Sequence, residues 1–147
     1  MHVRSTIWLE DMRHVVAKIT DVKEGKGTLV EVAGREIALF NVNGEYFGIS
    51  NRCPHGGASL CKGTIVGLAE SDEPGKYELV RHGEMLKCPW HGWEFDIRTG
   101  RSWCDPARTK TKSYQVSVES GRELNEKLYE IATYPIIVEE DYLVIEL

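Results

Sequence analysis

Two short stretches of this 147-residue chain pair a thiol with an imidazole: Cys53-x-His55 in NRCPHGGASLC and Cys88-x-x-His91 in CPWHGW. Thiolate and imidazole are both good transition-metal ligands, and the Pro and Gly around them favour loops over helices or strands. Two of the four cysteines and two of the five histidines fall into these pairs, with 32 residues (56–87) between them. The pairing, made twice, points to a site whose four ligands come from two loops. Cys₂His₂ is a standard structural zinc set, which makes a zinc-stabilised interaction module one reading. Zinc fingers, however, usually take both cysteines from one knuckle and both histidines from another. Loops that each supply one of either kind suit a dinuclear iron–sulfur centre, with the thiolates on one iron and the imidazoles on the other.

The elements that must position these loops read as β. Short runs of alternating apolar and polar residues recur between turn signals, and no long stretch has the 3.6-residue period of an amphipathic helix. The first hairpin is REIALFNVNGEYFGIS, turning at Asn43-Gly44, a dipeptide that type I′ turns favour. Further strands are expected at Trp8–Leu9, Leu29–Val32, Tyr77–Arg81, Met85–Lys87 and Trp93–Asp96, followed by a turn at Thr99-Gly100 before Arg101–Trp103. The later runs YQVSV, KLYEIAT, PIIVEE and YLVIEL alternate like strands with one buried face, and SGRELNEK reads as a solvated hairpin tip. The segment TIVGLAESDEPGKYELVRHGE, with Pro74-Gly75 at its middle, reads as a hairpin between the two loops.

CPHGGASL and CPWHGWEFDIRTG resemble the two cluster-binding loops of Rieske [2Fe–2S] proteins, above all the soluble ferredoxins and oxygenase domains of ring-hydroxylating systems. The β pattern on either side is similar too, so the resemblance covers nearly the whole chain. It implies an all-β Rieske fold of antiparallel sheets: one domain over 1–147, with a cluster-binding subdomain at about 50–96 inserted in a basal domain at about 1–49 and 97–147. It implies one [2Fe–2S] cluster, with Cys53 and Cys88 on one iron and His55 and His91 on the other. Around these ligands, Pro54 and Pro89 would stiffen the loops, and Gly56, Gly57 and Gly92 would let backbone N–H groups approach sulfur. Trp90 would shield the cluster, while Trp93 and Trp103 belong to the core. Two ferric ions, two sulfides, two thiolates and two neutral imidazoles sum to zero charge, so such a centre accepts an electron more readily than a four-thiolate cluster. Trp93 stands where high-potential relatives place a serine, and Ala58 and Trp90 stand where they place a loop disulfide. The resemblance therefore implies a low-potential, oxygenase-type centre. The 32-residue gap between the ligand pairs is roughly twice that of compact members.

Composition narrows the function classes. The formal charge of −5 lacks the basic footprint of nucleic-acid binding, makes an anionic membrane an unsuitable surface and fits a partner with a basic docking patch. No apolar run nears the ~20 residues of a bilayer span and the start lacks a signal-peptide core, so a cytoplasmic protein is expected. In a reducing cytosol the spare Cys61 and Cys104 read as buried free thiols. His2, His14 and His82 read as ordinary surface or core residues. No nucleophile–base pair, phosphate loop or mononuclear iron triad is present, and a catalytic oxygenase would need a further domain. The resemblance thus implies a non-enzymatic, one-electron carrier between a reductase and a terminal oxygenase. The alternative is the small subunit of an assimilatory nitrite reductase. A bc₁-type subunit is disfavoured by the absent anchor and loop disulfide.

Overall fold

Alternating side chains need two faces, and the chain supplies them with strands. The computed structural model of the protein describes residues 6–7, 13–90, 92–127 and 136–147. Among these, the strands are β1 (Thr6–Ile7), β2 (Arg13–Lys18), β3 (Thr28–Val32), β4 (Arg35–Val42), β5 (Glu45–Ser50), β6 (Thr64–Glu73), β7 (Lys76–Lys87), β8 (Glu94–Asp96), β9 (Ser113–Ser120) and β10 (Asp141–Glu146). They form an antiparallel seven-stranded sheet in the order β1-β2-β10-β9-β5-β4-β3 and a three-stranded sheet β6-β7-β8. The larger sheet curls on itself: Val16 and Ala17 of β2 share one buried cluster with Val30 and Val32 of β3, near the opposite end of the strand order. Ile37, Leu39, Leu143 and Ile145 complete that core.

The hairpin of β4 and β5 turns at Asn43-Gly44, and the inter-loop segment is the hairpin of β6 and β7 turning at Pro74-Gly75, as the sequence indicates. Tyr77–Arg81 and Met85–Lys87 are one strand rather than two. Between them, residues 81–84 of β7 bulge opposite Gly67 of β6, with Arg81 at φ +51°. A charge cluster holds the bulge: Arg81 donates to Asp96 at 2.7 Å and to Glu84 at 3.3 Å, and Arg98 donates to Glu84 at 3.2 Å.

Other expectations are corrected. SGRELNEK is no solvated tip, because Gly121–Lys127 is a helix, α1. Ser120 Oγ accepts the Glu123 N–H at 3.2 Å as its cap, and Leu124 is fully buried against Val15, Tyr142 and Val144. Seven residues with one core contact are too few to show a helical period. PIIVEE does not form a strand over 136–140. It turns there, with Ile136 packed on the Leu124 cluster and the Ile137 N–H donated to the Tyr142 hydroxyl at 2.7 Å. Trp8–Leu9 and residues 128–133 of KLYEIAT lie outside the described residues. No helix among the described residues is long and apolar enough to cross a membrane.

Candidate metal centre

The two Cys/His loops have the same backbone wiring. In the first, the Cys53 N–H donates to the Ala58 carbonyl at 2.9 Å, and the Gly57 N–H donates back to the Cys53 carbonyl at 2.7 Å. In the second, the Cys88 N–H donates to the Trp93 carbonyl at 2.8 Å, and the Gly92 N–H to the Cys88 carbonyl at 3.1 Å. Each loop thus places Pro one residue after its Cys and Gly four residues after it. These two glycines close the turns at φ +81° and +71°, in the left-handed region that L side chains avoid. Their amides are taken up by the turn. Gly56 is the glycine beside sulfur: its backbone amide, with that of His55, acts to lower the Cys53 thiol's pKa.

Asn51, buried at 3% exposure, fastens the first loop from beneath. Its side chain donates to Ser59 Oγ at 2.9 Å and accepts the Cys61 N–H at 2.8 Å, while its carbonyl accepts the Leu60 N–H at 2.7 Å. The sequence reading missed this positioning residue, since an asparagine before a turn carries no signal of its own beyond loop propensity. The second loop follows directly from β7, whose pairing with β6 and β8 fixes where Cys88 begins.

The loops bring the two thiols together. Cys53 and Cys88 are 1% and 3% exposed and share one buried cluster, on a floor formed by Ala58, Leu60, Leu86, Phe95 and Ile97. Burial pushes the Cys53 thiol above its ordinary value, and proximity to Cys88 adds to this, while the His55 and Gly56 amides oppose it. A bound metal cation reverses that balance, because coordination deprotonates a thiol outright. His55 is exposed at the loop tip, its ring stacked on Trp93 at a centroid distance of 4.3 Å and an interplanar angle of 20°. His91 lies outside the described residues. Among the described residues no three His, Cys, Asp or Glu side chains gather about one point, as a mononuclear ion requires. The paired buried thiols and the exposed His55 imidazole fit a dinuclear iron–sulfur centre that takes soft ligands on its inner side.

The remaining candidates separate by environment. Pro54, Gly56, Pro89 and Trp90 are exposed around the site, and Trp90, at 62%, covers little. Trp93 is the aromatic that packs on the ligand loop. Trp103 is 54% exposed and not a core residue. All four cysteines are free; Cys104 is exposed, and Cys61 is half-buried with its sulfur 3.3 Å from Ser59 Oγ. Both depart from the expected buried thiols: Cys61 is the middle residue of the short 3-10 turn Leu60–Lys62, and Cys104 lies in a surface bend after the buried Ser102. His14 is buried in β2, His82 is exposed and His2 lies outside the described residues.

An antiparallel β scaffold that brings two buried thiols together from two loops, one of them carrying an exposed imidazole, is the frame of an iron–sulfur protein. Residues 12–115 match the Rieske [2Fe–2S] domain, and the chain belongs to that family, whose cofactor is a Rieske [2Fe–2S] cluster. The ferredoxin component of the naphthalene 1,2-dioxygenase/salicylate 5-hydroxylase systems of Ralstonia sp is 33% identical over 106 residues, 72% of this chain and 86% of that protein. Among solved structures, the Sphingomonas yanoikuyae B1 ferredoxin is 26% identical with a TM-score of 0.59, over 90% of this chain and 96% of that one. A putative NADH-dependent nitrite reductase small subunit from Mycobacterium tuberculosis has the same TM-score, 0.59, at 18% identity, over 93% and 96% of the two chains. That second likeness is one of fold alone.

Proposed function

We propose that this protein is a one-electron carrier in which Cys53, His55, Cys88 and His91 hold the cluster, receiving electrons from a flavin reductase and delivering them to a terminal ring-hydroxylating oxygenase. The cluster supplies reversible one-electron chemistry, at a potential between about −150 and +300 mV for this ligation. The chain's own residues do the rest. The apolar floor of Leu60, Leu86 and Phe95 keeps water from the thiolate side, and the His55 and Gly56 amides neutralise part of the charge on Cys53 sulfur. The observation that carries the reading is the polarity of the site: buried thiols, with the His55 edge exposed for a partner to approach. Trp90, exposed beside it, offers an apolar anchor of the kind that interface centres favour. Residues 50–96 then act as a cluster-binding subdomain on a basal domain of 1–49 and 97–147.

The relatives near a third identity are ferredoxin components, which supports the oxygenase pathway over the nitrite reductase alternative. An anaerobic titration tests the carrier role. Iron-loaded protein should take up one electron per chain, bleach in the visible and recover on reoxidation. Failure to take up an electron, or zinc with no acid-labile sulfide, would refute it.

A further inference from the structure

The acidity of the chain is not evenly spread, and the face beside the cluster loop has the opposite sign. Residues 98–112 carry five cations (Arg98, Arg101, Arg108, Lys110 and Lys112) against one acid, Asp105, in a protein of net charge −5. This segment is tied to the base of the first ligand loop: the Ser50 N–H donates to the Lys112 carbonyl at 2.8 Å, and buried Thr111 donates its hydroxyl to the Ser50 carbonyl at 3.0 Å. A cleft of about 590 Å³ results, bounded by Cys53, Pro54, His55, Gly56 and Gly57 on one side and Lys110, Thr111 and Lys112 on the other. Arg52 closes it, its guanidinium lying over Gly57, where an added Cβ would stand 3.3 Å from Nε. Among the described residues no Asp or Glu lines the cleft. Arg98 is occupied by Glu84 and Glu45, but Arg52, Lys110 and Lys112 make no ion pair among the described residues. Three exposed cations thus border the site without a counter-charge of their own.

We propose that this cationic cleft is the docking face for a redox protein that presents carboxylates around its own electron-transfer centre, reversing at the site what the net charge suggests. The cleft includes the Cys53–Gly57 loop itself, so carboxylates seated on Arg52, Lys110 and Lys112 bring the partner's centre to the exposed His55. Solvated charges of this kind act mainly by steering encounter and fixing orientation. The inference rests on the electron-carrier reading.

The test uses two redox proteins of opposite charge with the cluster-loaded protein. Reduced plant-type ferredoxin, which is acidic, passes one electron to the oxidised protein, and the reduced protein passes one to ferricytochrome c, which is basic. No bond forms or breaks in either step. Stopped-flow rates with the acidic ferredoxin should fall as ionic strength rises. The R52Q/K110Q/K112Q variant should be about tenfold slower at low salt, at the low end of the range for electrostatic steering, and equal to the parent at 1 M salt, where screening acts within about 3 Å. A control with the same loss of charge at exposed positions outside the cleft, K23Q/K26Q/R122Q, should not slow it. Cytochrome c should show the opposite salt dependence. A rate with the acidic ferredoxin that rises with salt, or equal slowing by the cleft and control variants, would overturn the proposal. So would inhibition by inorganic phosphate beyond that of chloride at matched ionic strength, which would mark a small-anion site. Absence of electron transfer with either probe at every salt concentration would instead refute the carrier reading.

Discussion

Replacing Trp93 by alanine should make the metal centre labile, whereas replacing Trp90 should not. The Trp93 ring stacks on His55 at 4.3 Å and packs against the buried cluster containing both thiols, while Trp90 is 62% exposed. A stacked aromatic pair is worth about 0.5–1.5 kcal/mol beyond its buried area; about 1 kcal/mol raises the open population of the His55 loop about fivefold. Lost packing of the indole on the core adds to this, so about fivefold is a floor. The assay is the decay of visible absorption when anaerobic, cluster-loaded protein meets excess EDTA at 25 °C. W93A should lose absorption at least about fivefold faster than the parent, W93F, which keeps a ring, should stay within about twofold, and W90A should match the parent. Equal decay of W93A and parent, or a W90A as labile as W93A, would refute the assignment of Trp93 as the residue that holds the His55 loop.

Leu124→Ala should cost about 2–3 kcal/mol, the low end for a buried leucine in a small cluster that can relax, and lower the thermal midpoint by roughly 6–10 °C; a solvated tip would give almost no shift. His14 is buried, and burial, with Arg35 nearby, depresses its imidazole below the ordinary value. The unfolded chain therefore binds this proton first: stability from neutral His14 is complete above about pH 6.5 and declines as the pH falls toward the folded value. Thermal midpoints between pH 8 and 5.5 should show this decline, and H14Q should flatten it. His91→Cys should keep a cluster, where one assembles, and lower its midpoint by roughly 100 mV, because one more negative ligand replaces a neutral one. Spectroelectrochemistry reads that shift, and the parent midpoint itself should lie below about +100 mV.

The two thiols that the fold brings together were legible because the spacings Cys53-x-His55 and Cys88-x-x-His91 are rare by chance, whatever the surrounding chain does. The strands flanking Asn43-Gly44 and Pro74-Gly75 were equally visible, since turn chemistry and alternation agree there. What the sequence concealed depends on contacts distant along the chain. Leu124 makes Gly121–Lys127 a packed helix only because Val15, Tyr142 and Val144 meet it. Trp103 and Trp93 have the same composition-level claim to the core, yet one is exposed and the other stacks on a loop 38 residues earlier in sequence. The turn-shaping role of Gly57 and Gly92 follows from positive φ angles that no spacing rule encodes. The basic cleft was hidden by averaging, because a net charge says nothing of where Lys110 and Lys112 fold back.

The central claim is that two thiolates and two imidazoles from these loops hold one [2Fe–2S] cluster. Low-temperature EPR of the dithionite-reduced protein, with ¹⁵N introduced only at histidine, tests it most directly. The account predicts a rhombic signal with a low average g and hyperfine coupling to two histidine nitrogens. An iron-replete protein that gives no such signal, or one without nitrogen coupling, would contradict it.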